Sequence, residues 1–310
     1  MAETTDDRTA AQTPVMAQEY VLSDLQHGKA ECRLVTVERT GSAAEQHVLH
    51  DLNVTTQLRG DFAAAYTDGD NTHVHATDTQ KNTVFALARK HGVSSPEELL
   101  LHLAAHWRTQ PWVTGTWFGA EQAGWARLGN GHSFVRTGEA TRTAWVQTWG
   151  EDTYVLAGVR DLVVLKSTGS EFHGFPRDEF TTLPETDDRI LATSVTATWR
   201  YAGSGQGLAY DDCHERVRTA LLDAFAHTHS LALQQTIHAM ASAALDAVPE
   251  IDQIRISCPN KHHFLVDLSP FAMDNPGEVF VAADRPYGLI SATLSRTGAE
   301  EPRAWAGIGG

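Results

Sequence analysis

The sequence predicts an α+β fold built on antiparallel sheet, on the strength of three observations. Strand-like segments flank a pair of amphipathic helices, and this plan occurs twice along the chain. The Gly-rich stretch 202–208 (AGSGQGL) lacks the GxGxxG spacing that a dinucleotide site between a parallel strand and a helix requires. Thr77-Asp78-Thr79 and Thr168-Gly169-Ser170 occupy matching places in the two halves, about 91 residues apart, as an internal duplication gives. The expected organisation is a tail at 1–18, a first domain at 19–150, a second at 151–297 and a C-terminal tail at 298–310.

Residues 1–18 show no periodic apolar face and read as solvated. Residues 29–37 and 48–58 alternate apolar and polar, predicting a hairpin across a turn at Gly41. A short strand at 73–76 leads into a helix ending at Arg89, Lys90, His91 and Gly92, since basic residues before a glycine suit a helix C-terminus. Asp78 is its candidate N-cap, which puts Thr77 at the helix mouth, where unpaired N–H groups favour an anion. Ser95, Pro96 and Glu98 open a second helix with Leu100, Leu103, Ala104 and Trp107 on one face. Strands follow at 112–117 and 143–149.

The second half repeats the plan, with strands at 154–157, 162–165 and 190–199. Val217, Leu221 and Phe225 mark the apolar face of one helix, and Ile237, Met240, Ala244 and Val248 that of the next. Closing strands are expected at 254–258, 264–268, 279–282 and 289–294.

Lys and Arg number 24 against 39 acids, a formal net charge of -15, which argues against nucleic acid or an anionic membrane as partner. A small anion would have to be drawn in by a few local cations. The 310 residues favour two domains, and 42% hydrophobic content is ordinary for a packed core. Cys32, Cys213 and Cys258 lack CxxC spacing and describe neither a disulfide framework nor a structural zinc site, which fits a reducing cytoplasm. The N-terminal MAETTDDRTAAQT has no apolar core, no stretch approaches 18 apolar residues, and Gly-Ile-Gly-Gly is no peroxisomal tripeptide; neither secretion nor membrane spanning is expected.

Chemistry concentrates in residues 165–199, where Phe172 and Arg189 stand among turn formers. A flat anionic ligand needs both a π face and a fork of donors, although a core Phe and a surface Arg beside Asp187 and Asp188 would read the same way. His102 and His106 have zinc-ligand spacing in HLAAH but lack a metalloprotease Glu, and His73 and His75 share a strand face without an acidic or Cys partner. His262 and His263 lie in an expected polar turn and should point to opposite faces. Lys29 is by default a surface lysine unless Thr77 or His262 comes near it, and Gln234 and Gln235 open a helix.

The run KSTGSEFHGFPRDEFTTLPETDDRIL (166–191) closely resembles the signature segment of the urate oxidase (uricase) family. GKAECR (28–33), TDTQKNTVF (77–85), LALQQT (231–236) and PNKHHFLVDL (259–268) are similar to other motifs of that family in the same order, so the resemblance spans about residues 26–295. It implies a tandem pair of T-fold domains and cofactor-independent oxidation of urate by O2 and water, with no metal. Lys29, Thr77 and His262 match the family's proton relay, and Asp78 follows the threonine as in the family. Phe172 matches the ring stacked on the purine, Arg189 and Gln234 the clamp on its polar edge, and Leu233 the aliphatic beside the glutamine. Asn260 matches the amide facing the oxygen site. His173, Pro176 and His263 depart from parts of the family without touching these positions, which favours a bacterial-type member. The resemblance further implies a homotetramer with active sites between chains, Lys29 and Thr77 coming from one subunit and the remaining groups from its neighbour. A metal-dependent pterin or purine hydrolase of the same fold and a non-catalytic purine binder are the alternatives.

Overall fold

The computed structural model describes residues 20–39, 47–129, 131–138 and 140–308. The first half runs β1 (Gln26–Arg39), β2 (His47–Gly60), α1 (Ala63–Thr67), α2 (Thr77–His91), α3 (Pro96–Trp107), β3 (Val113–Gln122), β4 (Trp125–Arg127), β5 (Phe134–Arg136) and β6 (Thr141–Trp149). The second runs β7 (Asp152–Lys166), β8 (Leu191–Tyr201), α4 (Tyr210–His227), α5 (Leu233–Ala247), β9 (Ile251–Leu265) and β10 (Phe280–Ser295). Eight strands form one antiparallel sheet in the order β1-β2-β3-β6-β7-β8-β9-β10, while β4 and β5 make a separate ribbon. Each half thus contributes two strands, a helix pair and two strands, as expected, and the halves join through the turn at Gly150.

Helix boundaries follow local chemistry. Ser95 caps α3 by accepting from the Glu98 N–H at 3.1 Å, with Pro96 at the first position. Helix α2 ends on Arg89, Lys90 and His91 before Gly92, whose φ of 78° a side chain would resist. Its start differs from expectation: Ala76 occupies the cap position, Thr77 is the first helical residue and Asp78 lies in the first turn. The segment 73–76 is irregular rather than a strand, with His73 stacked on Trp112 at 5.2 Å and His75 at 5.5 Å.

The core lies between the sheet and the helices. Val155, Ala157 and Val159 of β7 point into it alongside Leu99, Leu100 and Leu103 of α3, each fully buried leucine contributing about 2 kcal/mol. Tyr154 and Leu156 point the other way, and there Ala304, Trp305 and Ile308 pack on them. Residues 298–310, expected to be a tail, therefore fold back onto the helix-free face as far as they are described. Gln147 Nε2 donates to the Ala304 and Ala306 carbonyls at 2.8 and 3.0 Å, and Trp305 Nε1 donates to Gln253. The expected tail at 1–18 and the turn at Gly41 lie outside the described residues.

Three sequence expectations merge into longer strands. Segments 154–157 and 162–165 are both β7, interrupted by a register shift after Val159 where Asp161 has φ 62°. Segment 254–258 and the first two residues of 264–268 are β9, so His262 and His263 lie on a strand and not in a turn. Segment 289–294 and most of 279–282 are β10, with a register shift between Ala283 and Gly288.

Candidate active site

The connection between β7 and β8 is stitched into a compact loop. The Arg189 N–H donates to the Ser170 carbonyl at 2.8 Å, and Phe172 and Thr186 exchange backbone bonds at 2.9 and 3.1 Å. These bonds place the Arg189 guanidinium 5.1 Å from the centre of the Phe172 ring, a cation over a π face. Phe175 stacks against Phe172 at 4.9 Å, steadying the ring. Burial lowers the Arg189 pKa, and among the described residues no carboxylate forms an ion pair with it; its Nε donates to Ser170 Oγ at 3.4 Å. A half-buried, unneutralised guanidinium beside an aromatic face is a receptor for a planar anion.

The same loop is tied to the start of α5. The Glu171 N–H donates to the Ser230 carbonyl at 2.7 Å, and Thr236 Oγ1 donates to Ser230 Oγ at 2.8 Å. Glu171 also pairs with His173 at 2.6 Å and with His229, and these hydrogen bonds hold its carboxyl below the usual range. Leu233 is buried at the first position of α5. Gln235 is occupied, accepting the Leu231 N–H at 2.8 Å, whereas Gln234 is exposed. Asn260 and His262 continue the helix-facing row of Ile254, Ile256 and Cys258 along β9, and His263 faces away. Asn260 sits between Thr193 of β8 and Gly288 of β10, beside the break in the β10 register. The His262 ring stacks on Phe264 at 5.8 Å.

Lys29, Thr77 and Asp78 form a second group at the opposite edge of the sheet. Lys29 pairs with Thr56 of β2 just before β1 breaks register, and Thr77 and Asp78 are exposed at the mouth of α2. Asp78 forms an ion pair with Lys81 and accepts from Asn82 Nδ2 at 3.0 Å; these bonds, with Lys29 nearby, lower its pKa. From β1 to β9 there are six strand intervals, roughly 29 Å along the sheet at about 4.8 Å each. One chain therefore assembles Phe172, Arg189, Leu233 and Gln234 around one loop, with Asn260 and His262 on the neighbouring strand, but does not bring Lys29 and Thr77 to them.

A family model described as Uricase matches residues 25–147 and 155–291. The chain belongs to the uricase family. The Arthrobacter globiformis uricase is 53% identical over 306 residues, covering 97% of this chain and 99% of that one. The Dictyostelium discoideum uricase is 36% identical over 89% of this chain and 98% of its own. The crystal structure of the Arthrobacter globiformis uricase superposes with a TM-score of 0.88 at 55% identity, covering 93% of this chain and 99% of that one. The Bacillus sp. TB-90 urate oxidase, at 21% identity, shares the fold with a TM-score of 0.75.

Within this uricase-family chain, the other histidine pairs are engaged elsewhere. His102 stacks on His91 at 4.1 Å, while His106 meets the Trp107 ring edge-on at 5.1 Å. Sequence reasoning missed the Glu171, His173 and His229 cluster, and it missed Thr56 and Gln80, whose side chains hydrogen-bond in the core. Gln80 did leave a signal: it is the polar member of the buried row Gln80, Val84, Leu87 on α2.

Proposed function

We propose that the protein oxidises urate with dioxygen and water to 5-hydroxyisourate and hydrogen peroxide, without a bound cofactor or metal, as a cytoplasmic homotetramer. The observation that carries this reading is Arg189 poised over Phe172 with no carboxylate paired to it among the described residues. Arg189 binds the urate anion through charge-assisted hydrogen bonds, Phe172 holds the ring flat, and Gln234, beside Leu233, reads the amide edge. The first N–H groups of α5 add a favourable field for an anion.

Urate is electron rich and, once further deprotonated, passes electrons to dioxygen. The protein's task is then orientation and proton transfer. Lys29, Thr77 and His262 move protons between urate, the oxygen species and water, Asn260 faces the oxygen side, and Asp78 shapes the edge of the site beside Thr77. Taken over the whole reaction, urate, O2 and H2O give 5-hydroxyisourate and H2O2, with the dioxygen reduced by two electrons.

A complete site requires Lys29, Thr77 and Asp78 of a second copy, supplied across the open sheet edges at β1 and β10. Such edges carry unpaired backbone groups and favour a closed assembly. Residues 19–150 and 151–297 are the two T-fold domains of each copy. The cysteines are free and buried, with the Cys258 thiol pushed up to about 12 by burial, which suits a reducing compartment. Among the described residues no helix is long and apolar enough to cross a membrane.

The test is to incubate metal-stripped protein with urate while following urate absorbance, oxygen uptake and peroxide together. Turnover with equal consumption of urate and oxygen supports the oxidase. Urate binding without turnover supports a non-catalytic purine binder, and activity only after metal is restored supports the hydrolase alternative.

A further inference from the structure

Lys29 and Thr77 sit on different elements, β1 and α2, yet a relay needs them at a fixed separation. We propose that Thr56 and Gln80 form a buried brace that sets this separation, making them positioning residues for proton transfer; this rests on the relay reading given above. Both side chains are 0% exposed. Thr56 Oγ1 donates to Gln80 Oε1 at 3.0 Å, the Lys29 N–H donates to Thr56 Oγ1 at 3.4 Å, and Gln80 Nε2 lies 3.5 Å from the His27 carbonyl it donates to. The three bonds run in a consistent donor direction and tie the backbone on both sides of Gly28 to the first turn of α2. Gln80 stands three residues after Thr77, and its own N–H makes an early helix bond, to the Ala76 carbonyl at 3.2 Å.

The brace lies where ordinary pairing stops. The β1–β2 register shifts between Lys29 and Cys32, and Glu31 adopts φ 56°. Lys29 is the last paired residue before the shift, and its N–H turns to the Thr56 hydroxyl. Stability does not account for the pair. The rest of the buried row on α2 is Val84, Leu87 and Ala88, and apolar side chains in place of both partners would spare the desolvation of an amide and a hydroxyl. A polar pair in an apolar row is accounted for by the geometry it imposes.

The test compares Thr56→Val, Gln80→Leu and the double variant with Thr56→Ser and with Lys29→Met, recording kcat, KM and thermal midpoint. Thr56→Val and Gln80→Leu should each lower kcat by about tenfold to a hundredfold with KM within about twofold, because displacement by about an ångström suffices for losses of that size. Thr56→Ser, which keeps the hydroxyl, should retain most of kcat. The double variant should unfold no earlier than either single variant yet remain slow, which separates positioning from stability. Should Thr56→Val not fold, Gln80→Leu and the double variant carry the same test. The brace is overturned if these variants keep kcat within twofold of the parent while Lys29→Met loses it. If Lys29→Met itself keeps kcat, the relay reading falls and the brace falls with it.

Discussion

Arg189 is half-buried and lacks a carboxylate partner among the described residues, in a chain whose acids outnumber its bases by fifteen. Holding a cation that way has a cost that a bound anion offsets, so its removal should act on binding. A charge-assisted bond is worth about 1.5–3 kcal/mol, and Arg189→Ala should raise KM for urate by about tenfold to a hundredfold with a smaller effect on kcat. Steady-state kinetics decide this, and an equal fall in kcat with KM unchanged would assign Arg189 a different role. His214 on α4 illustrates the opposite case, a titratable group kept neutral. Burial pushes its pKa down to about 3, with Arg142 adding to the effect. Because the unfolded chain takes up that proton near pH 6.5, stability should fall as pH drops from about 6.5 towards 3, by up to about 4 kcal/mol from this residue. Replacing His214 with Phe should flatten that acid limb in denaturant titrations between pH 4 and 7, and an unchanged limb would exclude the histidine as its source. Neither residue's state was legible in the sequence. The identity of Arg189 was visible from its motif, but the absence of an ion pair with neighbouring Asp187 and Asp188 depends on the loop fold, where Asp188 accepts from Thr168 and Gly169 instead.

At the scale of elements, periodicity found α3, α4 and α5 because their apolar faces repeat, α2 showed through its basic residues before Gly92, the five-residue α1 was not foreseen, and β7, β9 and β10 were divided where each departs from regular alternation. In β7 and β10 the departure is a register shift; in β9 it is the polar run Asn260 to His263, which the candidate site uses. Alternation is lost at these bulges, so a strand reads as two. Strand β1 carries the same kind of break after Lys29, and just before it Gly28 lets β1 approach the backbone of β2 closely. A Cβ built on Gly28 would lie 1.7 Å from the Thr56 carbonyl oxygen and 2.6 Å from its carbon, backbone atoms that no rotamer change can move aside. Gly28→Ala should therefore destabilise the protein by about 3 kcal/mol, the upper end of overpacking costs, and should impair turnover by displacing Lys29. Thermal unfolding and kcat measured on the same preparation check both effects; an alanine variant with parental stability would show that β1 can separate from β2 at this point.

Across the whole molecule, the two halves are joined by more than a continuous sheet. Arg142 on β6 pairs with the fully buried Glu97 of α3 at 2.8 Å and with Asp211 of α4 at 2.5 Å, linking the helix pair of one half to that of the other. With the halves fixed in this way, the six strand intervals between β1 and β9 leave the Lys29 group at one end of a chain and the Arg189 group at the other. A site assembled between two copies makes a specific demand on mixtures of impaired variants. If Lys29→Met and Arg189→Ala chains are denatured together and refolded, each mixed pair has one site lacking both residues and one site with both intact. Random pairing makes half of the pairs mixed, so at urate concentrations well below the raised KM of Arg189→Ala activity should recover to roughly a quarter of the parental level, whereas each variant refolded alone keeps only its own low rate. A site built within one chain would give no recovery in the mixture, because every chain would carry its own lesion into its own site.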